Sequence, residues 1–69
     1  MTQKELLYLE DAIGHEKNIL DYLNEVIGTL EEDDLIEAME QEIETHTNME
    51  KDLKNLLEEM ANDWSSDIR

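Results

Sequence analysis

Apolar residues recur along this chain in alternating steps of three and four, once in each half of its 69 residues. This spacing follows one stripe of an α-helix and therefore predicts two amphipathic helices. The first seam consists of Leu6, Leu9, Ile13, Glu16, Leu20, Leu23, Ile27 and Leu30. The second seam consists of Ile36, Met39, Ile43, His46, Glu50, Leu53, Leu57, Met60 and Trp64. Each seam is interrupted only near its middle, by Glu16 in the first and by His46 and Glu50 in the second.

Three further apolar residues, Ala12, Ile19 and Val26, widen the first seam into a face broad enough for a helical bundle. The chain has no proline and only two glycines, a composition that favours helix. Two helices of this length enclose too little interior to offset their conformational entropy, and there is no cysteine to cross-link them. We therefore predict an all-α fold in which an antiparallel two-helix hairpin dimerises into a four-helix bundle.

The ends of the helices are marked by capping signals. Thr2 and Glu5 form a capping box at the start of helix 1. For the turn, one interpretation ends helix 1 with Gly28 as its C-cap, after which Thr29 and Glu32 form a second capping box that opens helix 2.

The other interpretation, which we prefer, carries helix 1 through Leu30 and caps helix 2 with Asp33 or Asp34. It keeps Leu30 on its seam, and the acidic run before helix 2 suits the positive end of the helix dipole. The predicted boundaries are then helix 1 at about residues 3–30, a turn at about 31–33, helix 2 at about 34–62 and a frayed tail at 65–69.

The position of the turn decides which side chains meet. A turn centred near Asp33 sets Glu16 level with residues 48–50 and within one helical turn of His46. A turn at Gly28 instead moves His46 away from that level. In either arrangement, the carboxylate of helix 1 faces a polar cluster on helix 2.

Charged side chains at seam positions need partners or a metal, because desolvating an unpaired charge costs several kcal/mol. Glu16, His46 and Glu50, with Glu42 one turn before His46, are the ligand types that iron, manganese or zinc accept. A two-fold dimer doubles this set to the ligand count of di-iron carboxylate proteins. The spacing differs from theirs, since His46 follows Glu42 by four residues and Ile43 stands where they have glutamate. A metal site at Glu16, His46, Glu50 and Glu42 is one hypothesis.

A structural role for the same residues is the hypothesis we prefer. Glu16 would pair with His46 across the hairpin, and Glu50 with Lys54 on its own helix. Such a polar layer fixes register and dimer orientation, as polar seam residues do in coiled coils.

The remaining chemically interesting residues have simpler interpretations. His15 is predicted to lie on the surface, where with Asp11 it could bind a metal only adventitiously. Met39, Met49 and Met60 are predicted to fill the core, and Trp64 to cover the open end of the bundle. There is no glycine-rich phosphate loop, cysteine nucleophile or Ser-His-Asp pattern. Any enzymatic chemistry would therefore have to occur at a bound metal, and we lean towards a protein that is not an enzyme.

The charge balance restricts the partners of the chain. Twenty Asp and Glu against five Lys and Arg give a net charge of -15. Such a surface repels phosphate backbones and anionic lipid, so we expect no nucleic-acid and no membrane partner, and attraction to cations or a basic protein. No signal peptide or membrane-length apolar run is recognised, and we expect a cytoplasmic protein.

Residues 2–12, Thr-Gln-Lys-Glu-Leu-Leu-Tyr-Leu-Glu-Asp-Ala, resemble the opening of small spore-coat-like proteins of Firmicutes, a ferritin-like helical family related to spore coat protein F. In that family a glutamate stands at the place of Glu16, and helix 2 carries a histidine at the place of His46. The resemblance implies a ferritin-like bundle and a spore-associated role. Two positions depart from the family pattern: its second histidine is Met49 here, and its proline at the start of helix 2 is Asp33.

The predicted function is that of a small acidic, self-associating protein with a structural or interaction role, spore-coat-like by resemblance, whose polar layer can bind a divalent metal. The alternative is a ferritin-like di-metal carboxylate protein. A weaker alternative is an acidic mimic of nucleic acid that occupies a nucleic-acid-binding protein.

Overall fold

The computed structural model describes the backbone of residues 2–67 and the side chains of residues 2–62. Two helices, α1 (Gln3–Ile27) and α2 (Asp33–Asp67), form an antiparallel hairpin that is 56 Å long and 15 Å wide. No strand occurs in the described part of the chain. The all-α hairpin predicted from the two seams is confirmed.

The capping box at the start of α1 is present as predicted. The Thr2 backbone N–H donates to Glu5 Oε1 at 2.9 Å, and the Glu5 backbone N–H donates to the Thr2 hydroxyl at 3.1 Å. These two bonds satisfy N–H groups that have no partner within the first turn of a helix.

The helix α1 ends at Ile27, three residues before the predicted end at Leu30. Both the backbone N–H and the hydroxyl of Thr29 donate to the Val26 carbonyl, at 2.9 and 2.7 Å. These bonds form a tighter turn in place of the next helical bond, and Gly28 is the C-cap, as in the first interpretation of the turn. Leu30 is nevertheless half-buried, so it keeps its place on the seam without being helical.

The helix α2 begins at Asp33, one residue before the predicted start, with Asp34 also in its first acidic turn. Its backbone continues to Asp67, past the end predicted at residue 62 and through part of the tail predicted to fray. The rest of that tail, residues 68–69, lies outside the described residues. The Trp64 side chain, predicted to cover the end of the bundle, also lies outside the described side chains.

The two seams face each other along the hairpin. Every seam residue described by the structure is half-buried except Met60, which is 37% exposed. No side chain among residues 2–62 is fully buried. Met49, predicted to fill the core, is 43% exposed. One copy of the hairpin therefore has a seam between its helices but no enclosed core.

Candidate functional site

The two interruptions of the seams meet in the structure. Glu16 lies at the middle of α1 and His46 lies near the middle of α2. The Glu16 Oε2 atom is 2.5 Å from the His46 Nδ1 atom. The two side chains are 12% and 21% exposed, so water is largely kept away from this pair. The predicted pairing of Glu16 with His46 across the hairpin is therefore present.

The hydrogen bond assigns roles to the two ring nitrogens of His46. A carboxylate can only accept, so the His46 Nδ1–H group donates to Glu16. The other nitrogen, Nε2, lies 3.6 Å from Oε2 of Glu42, one helical turn earlier on α2. That distance is too long for a hydrogen bond, and Glu42 is 62% exposed. His46 thus has a close carboxylate at Nδ1 and a looser one at Nε2.

Glu50 has a different environment from the Glu16–His46 pair. Its Oε1 atom accepts a hydrogen bond from Lys54 Nζ at 2.8 Å, which confirms the predicted pair on α2. Its Oε2 atom is shielded from solvent and has no hydrogen-bond partner within the described residues. The carboxylate is therefore only half satisfied in one copy of the chain.

We call Glu16, His46, Glu42 and Glu50 the central polar layer. It favours one alignment of the two helices. A slip by one helical turn would move His46 away from Glu16 and set Ile43 or Glu50 opposite that carboxylate. The slipped hairpin would lose the hydrogen bond and leave a shielded carboxylate without a donor, which is costly. The layer therefore selects the register that the apolar seam residues alone specify weakly.

The four predicted metal ligands do not form a single cluster in one copy. Glu16 and Glu42 flank the two nitrogens of His46, whereas Glu50 is bound to Lys54. Across the described residues, no group of three or more His, Cys, Asp or Glu side chains is placed to hold a metal ion. The metal hypothesis draws on ligands from two copies and stays a prediction.

The sequence reasoning missed one feature near the layer. Leu35, Met49 and Leu56 are 51%, 43% and 41% exposed on α2. They are separated by multiples of seven residues, and each stands one residue before a seam position, which places them on one flank of the second seam. This regular spacing is the sequence signal from which an apolar flank on α2 could have been predicted. His15, by contrast, is exposed, as predicted.

Comparison with known proteins found no match to this chain. The chain matches no family model, and no curated protein or solved structure matches it. The spore-coat-like resemblance therefore stays a prediction. Among the described residues, neither helix has a stretch long and apolar enough to cross a membrane.

Proposed function

We propose that this chain is a self-associating acidic helical protein with a structural or interaction role, in which two hairpins form a four-helix bundle around the central polar layer. The observation that carries the proposal is that no side chain among residues 2–62 is fully buried in one copy. A hairpin without an enclosed core gains too little from apolar burial to offset its conformational entropy. A second hairpin supplies the missing cover. The spore-associated role implied by the resemblance belongs to this proposal.

In this function, the central polar layer selects how the helices align. Polar groups at seam positions specify register and oligomeric state at some cost in stability. The Glu16–His46 hydrogen bond, shielded at the middle of both helices, has this character.

Sedimentation velocity of the untagged chain over a wide concentration range tests the proposal. We expect a single species of twice the chain mass at high concentration. In the double variant Glu16→Leu with His46→Leu, we expect association to persist but to give a mixture of oligomers, because no polar layer then distinguishes them. A wild-type chain that stays monomeric and folded at every concentration overturns the proposal.

A divalent-metal protein is the second candidate, and the surroundings of His46 favour it. A carboxylate that accepts from the Nδ1–H group of a histidine orients the ring and leaves Nε2 free to bind a metal. In this chain Glu16 would have that orienting role, and His46 Nε2 with the exposed Glu42 would supply ligands from each copy. Iron, manganese or zinc suits this ligand set.

Elemental analysis of untagged protein tests the metal candidate. We expect His46→Ala and Glu42→Ala to lower the bound metal to background, and His15→Ala to leave it unchanged, because the side chain of His15 is exposed whereas that of His46 is half-buried. Equal metal content in all four proteins would rule out the site.

A further inference from the structure

The two faces of the hairpin differ in chemistry. In each helix, residues on one side of the seam are mostly apolar: Ala12, Ile19, Val26, Leu35, Met49 and Leu56. We call these six residues the apolar flank. Apart from Ala61, residues at matching positions on the other side of the seam are polar: Glu10, Lys17, Asn24, Glu40, Thr47 and Lys54. We call these the polar flank.

The apolar residues of the two helices lie on the same side of the hairpin. In an antiparallel pair of helices, equivalent flanks of the two seams adjoin each other. A surface groove supports this arrangement, because it joins residues of both helices. It is lined by Glu5, Tyr8, Leu9 and Ala12 from α1 together with Leu56 and Met60 from α2. A second groove, lined by Met49, Leu53 and Leu56 with Asp52, continues the surface along α2. Around Leu56, which lines both grooves, the apolar flank therefore forms one connected surface.

The contacts of the central polar layer also distinguish the apolar flank from the polar flank. Glu42, which faces His46 Nε2, occupies an apolar-flank position, between Leu35 and Met49 in the seven-residue spacing. Lys54, which binds Glu50, belongs to the polar flank. The apolar flank thus carries one carboxylate near its middle.

From these observations we infer that the apolar flank is the surface on which a second copy of this chain docks, leaving the polar flank exposed. The inference rests on the proposed self-association and assigns its interface. Two copies that each carry a net charge of -15 repel each other, so they can meet only where charge is sparse. A basic partner, by contrast, is drawn to the acidic faces and gains nothing from an apolar one.

The size of the face also fits a second copy. The two helices lie side by side over the 25 residues of α1, about 38 Å. With the 15 Å width of the hairpin, this face covers on the order of 600 Å², the lower end of what each partner contributes to a specific protein interface. Leu35, Met49 and Leu56 are exposed on this face in one copy, together with Tyr8 and Met60 of the groove. Burying them against the same residues of a second copy gives the bundle the enclosed core that one hairpin lacks.

Matched charge substitutions on the two flanks test the inference. Met49→Glu and Leu56→Glu place a charge on the apolar flank, whereas Thr47→Glu and Asn24→Glu place the same charge on the polar flank. By sedimentation velocity, we expect the first pair to raise the concentration of half-association at least tenfold and the second pair to change it less than threefold. Circular dichroism of each variant reports whether the helices persist.

Single cysteines in the full chain test the inference without disrupting the interface. Above the concentration of half-association, we expect the thiol of Met49→Cys to react with a maleimide at least tenfold more slowly than that of Thr47→Cys. Wild-type protein that does not associate overturns the proposed function and this inference together. Wild-type association with protection of Thr47→Cys, or with equal loss of association in both pairs of glutamate variants, overturns this inference alone.

Discussion

Replacing Glu16 and His46 with alanine, singly and together, measures how strongly the central pair holds the hairpin together. The double-mutant cycle isolates the interaction between the two side chains, because packing losses at each position cancel. The quantity measured is the free energy of unfolding of the wild type, the two single variants and the double variant.

The structure sets the expected magnitude. Exposed ion pairs contribute roughly 0.2–1 kcal/mol, whereas hydrogen bonds to charged groups contribute roughly 1.5–3 kcal/mol. With 12% and 21% exposure, Glu16 and His46 lie near the shielded limit, so we expect a coupling energy of about 1.5 kcal/mol. We expect Glu16→Ala alone to cost about 2 kcal/mol, because the shielded Nδ1–H group of His46 loses its acceptor.

A neighbouring pair in the same protein provides the control. Glu50 and Lys54 are 2.8 Å apart, but Lys54 is 57% exposed, so we expect their coupling to be about 0.3–0.5 kcal/mol. The free energy of unfolding of each variant is measured by urea unfolding monitored by circular dichroism. All variants are compared at one chain concentration, because association adds to the measured stability. A Glu16–His46 coupling no larger than that of Glu50–Lys54 would refute the central role of the pair.

Three further predictions concern single positions. Glu50→Leu should raise the free energy of unfolding by about 1–2 kcal/mol, because it removes a shielded Oε2 atom that has no hydrogen-bond partner in the described chain; destabilisation in urea would instead indicate that this atom has a partner in the assembly. Gly14→Ala should stabilise α1 by about 0.5–1 kcal/mol in urea unfolding, since nothing lies within 4 Å of an added Cβ; a loss of stability would reveal a close neighbour in the dimer. Hydrogen bonding to the Thr2 backbone N–H, and then to its hydroxyl, lowers the pKa of Glu5. The resulting stabilisation is complete above the unfolded-state pKa and is lost as pH falls through the lower folded-state value, so stability measured between pH 7 and roughly pH 3 should decline more in the wild type than in Glu5→Gln.

Local signals in the sequence were sufficient to predict the start of α1 and the pair of Glu50 with Lys54. The Thr2–Glu5 capping box depends on residues three apart, and the bond between Glu50 and Lys54 on residues four apart. Helix geometry brings such residues together whatever the rest of the chain does. The Glu16–His46 pair could be predicted because both residues interrupt an apolar seam and need a partner.

The turn could not be predicted from local signals alone. The seam pattern favours a helix through Leu30, whereas Thr29 bonds back to Val26 and ends α1 at Ile27. Both outcomes keep Leu30 half-buried, so the apolar pattern does not distinguish them. The resulting register joins Glu16 to His46 although Gly28 is the C-cap, a combination that neither interpretation of the turn contained.

The sequence by itself determined two helices, their facing stripes and the residues that interrupt them, because helical periodicity converts spacing directly into a face. Only the tertiary structure decided how deeply each stripe is covered, since burial depends on how much surface the neighbouring helix can reach. Two helices half-bury their seams and leave Met49 and Leu56 exposed. The tertiary structure also decided that His46 Nε2 faces Glu42 while Glu50 binds Lys54. Those contacts depend on the side of the seam on which each residue lies once the helices are docked.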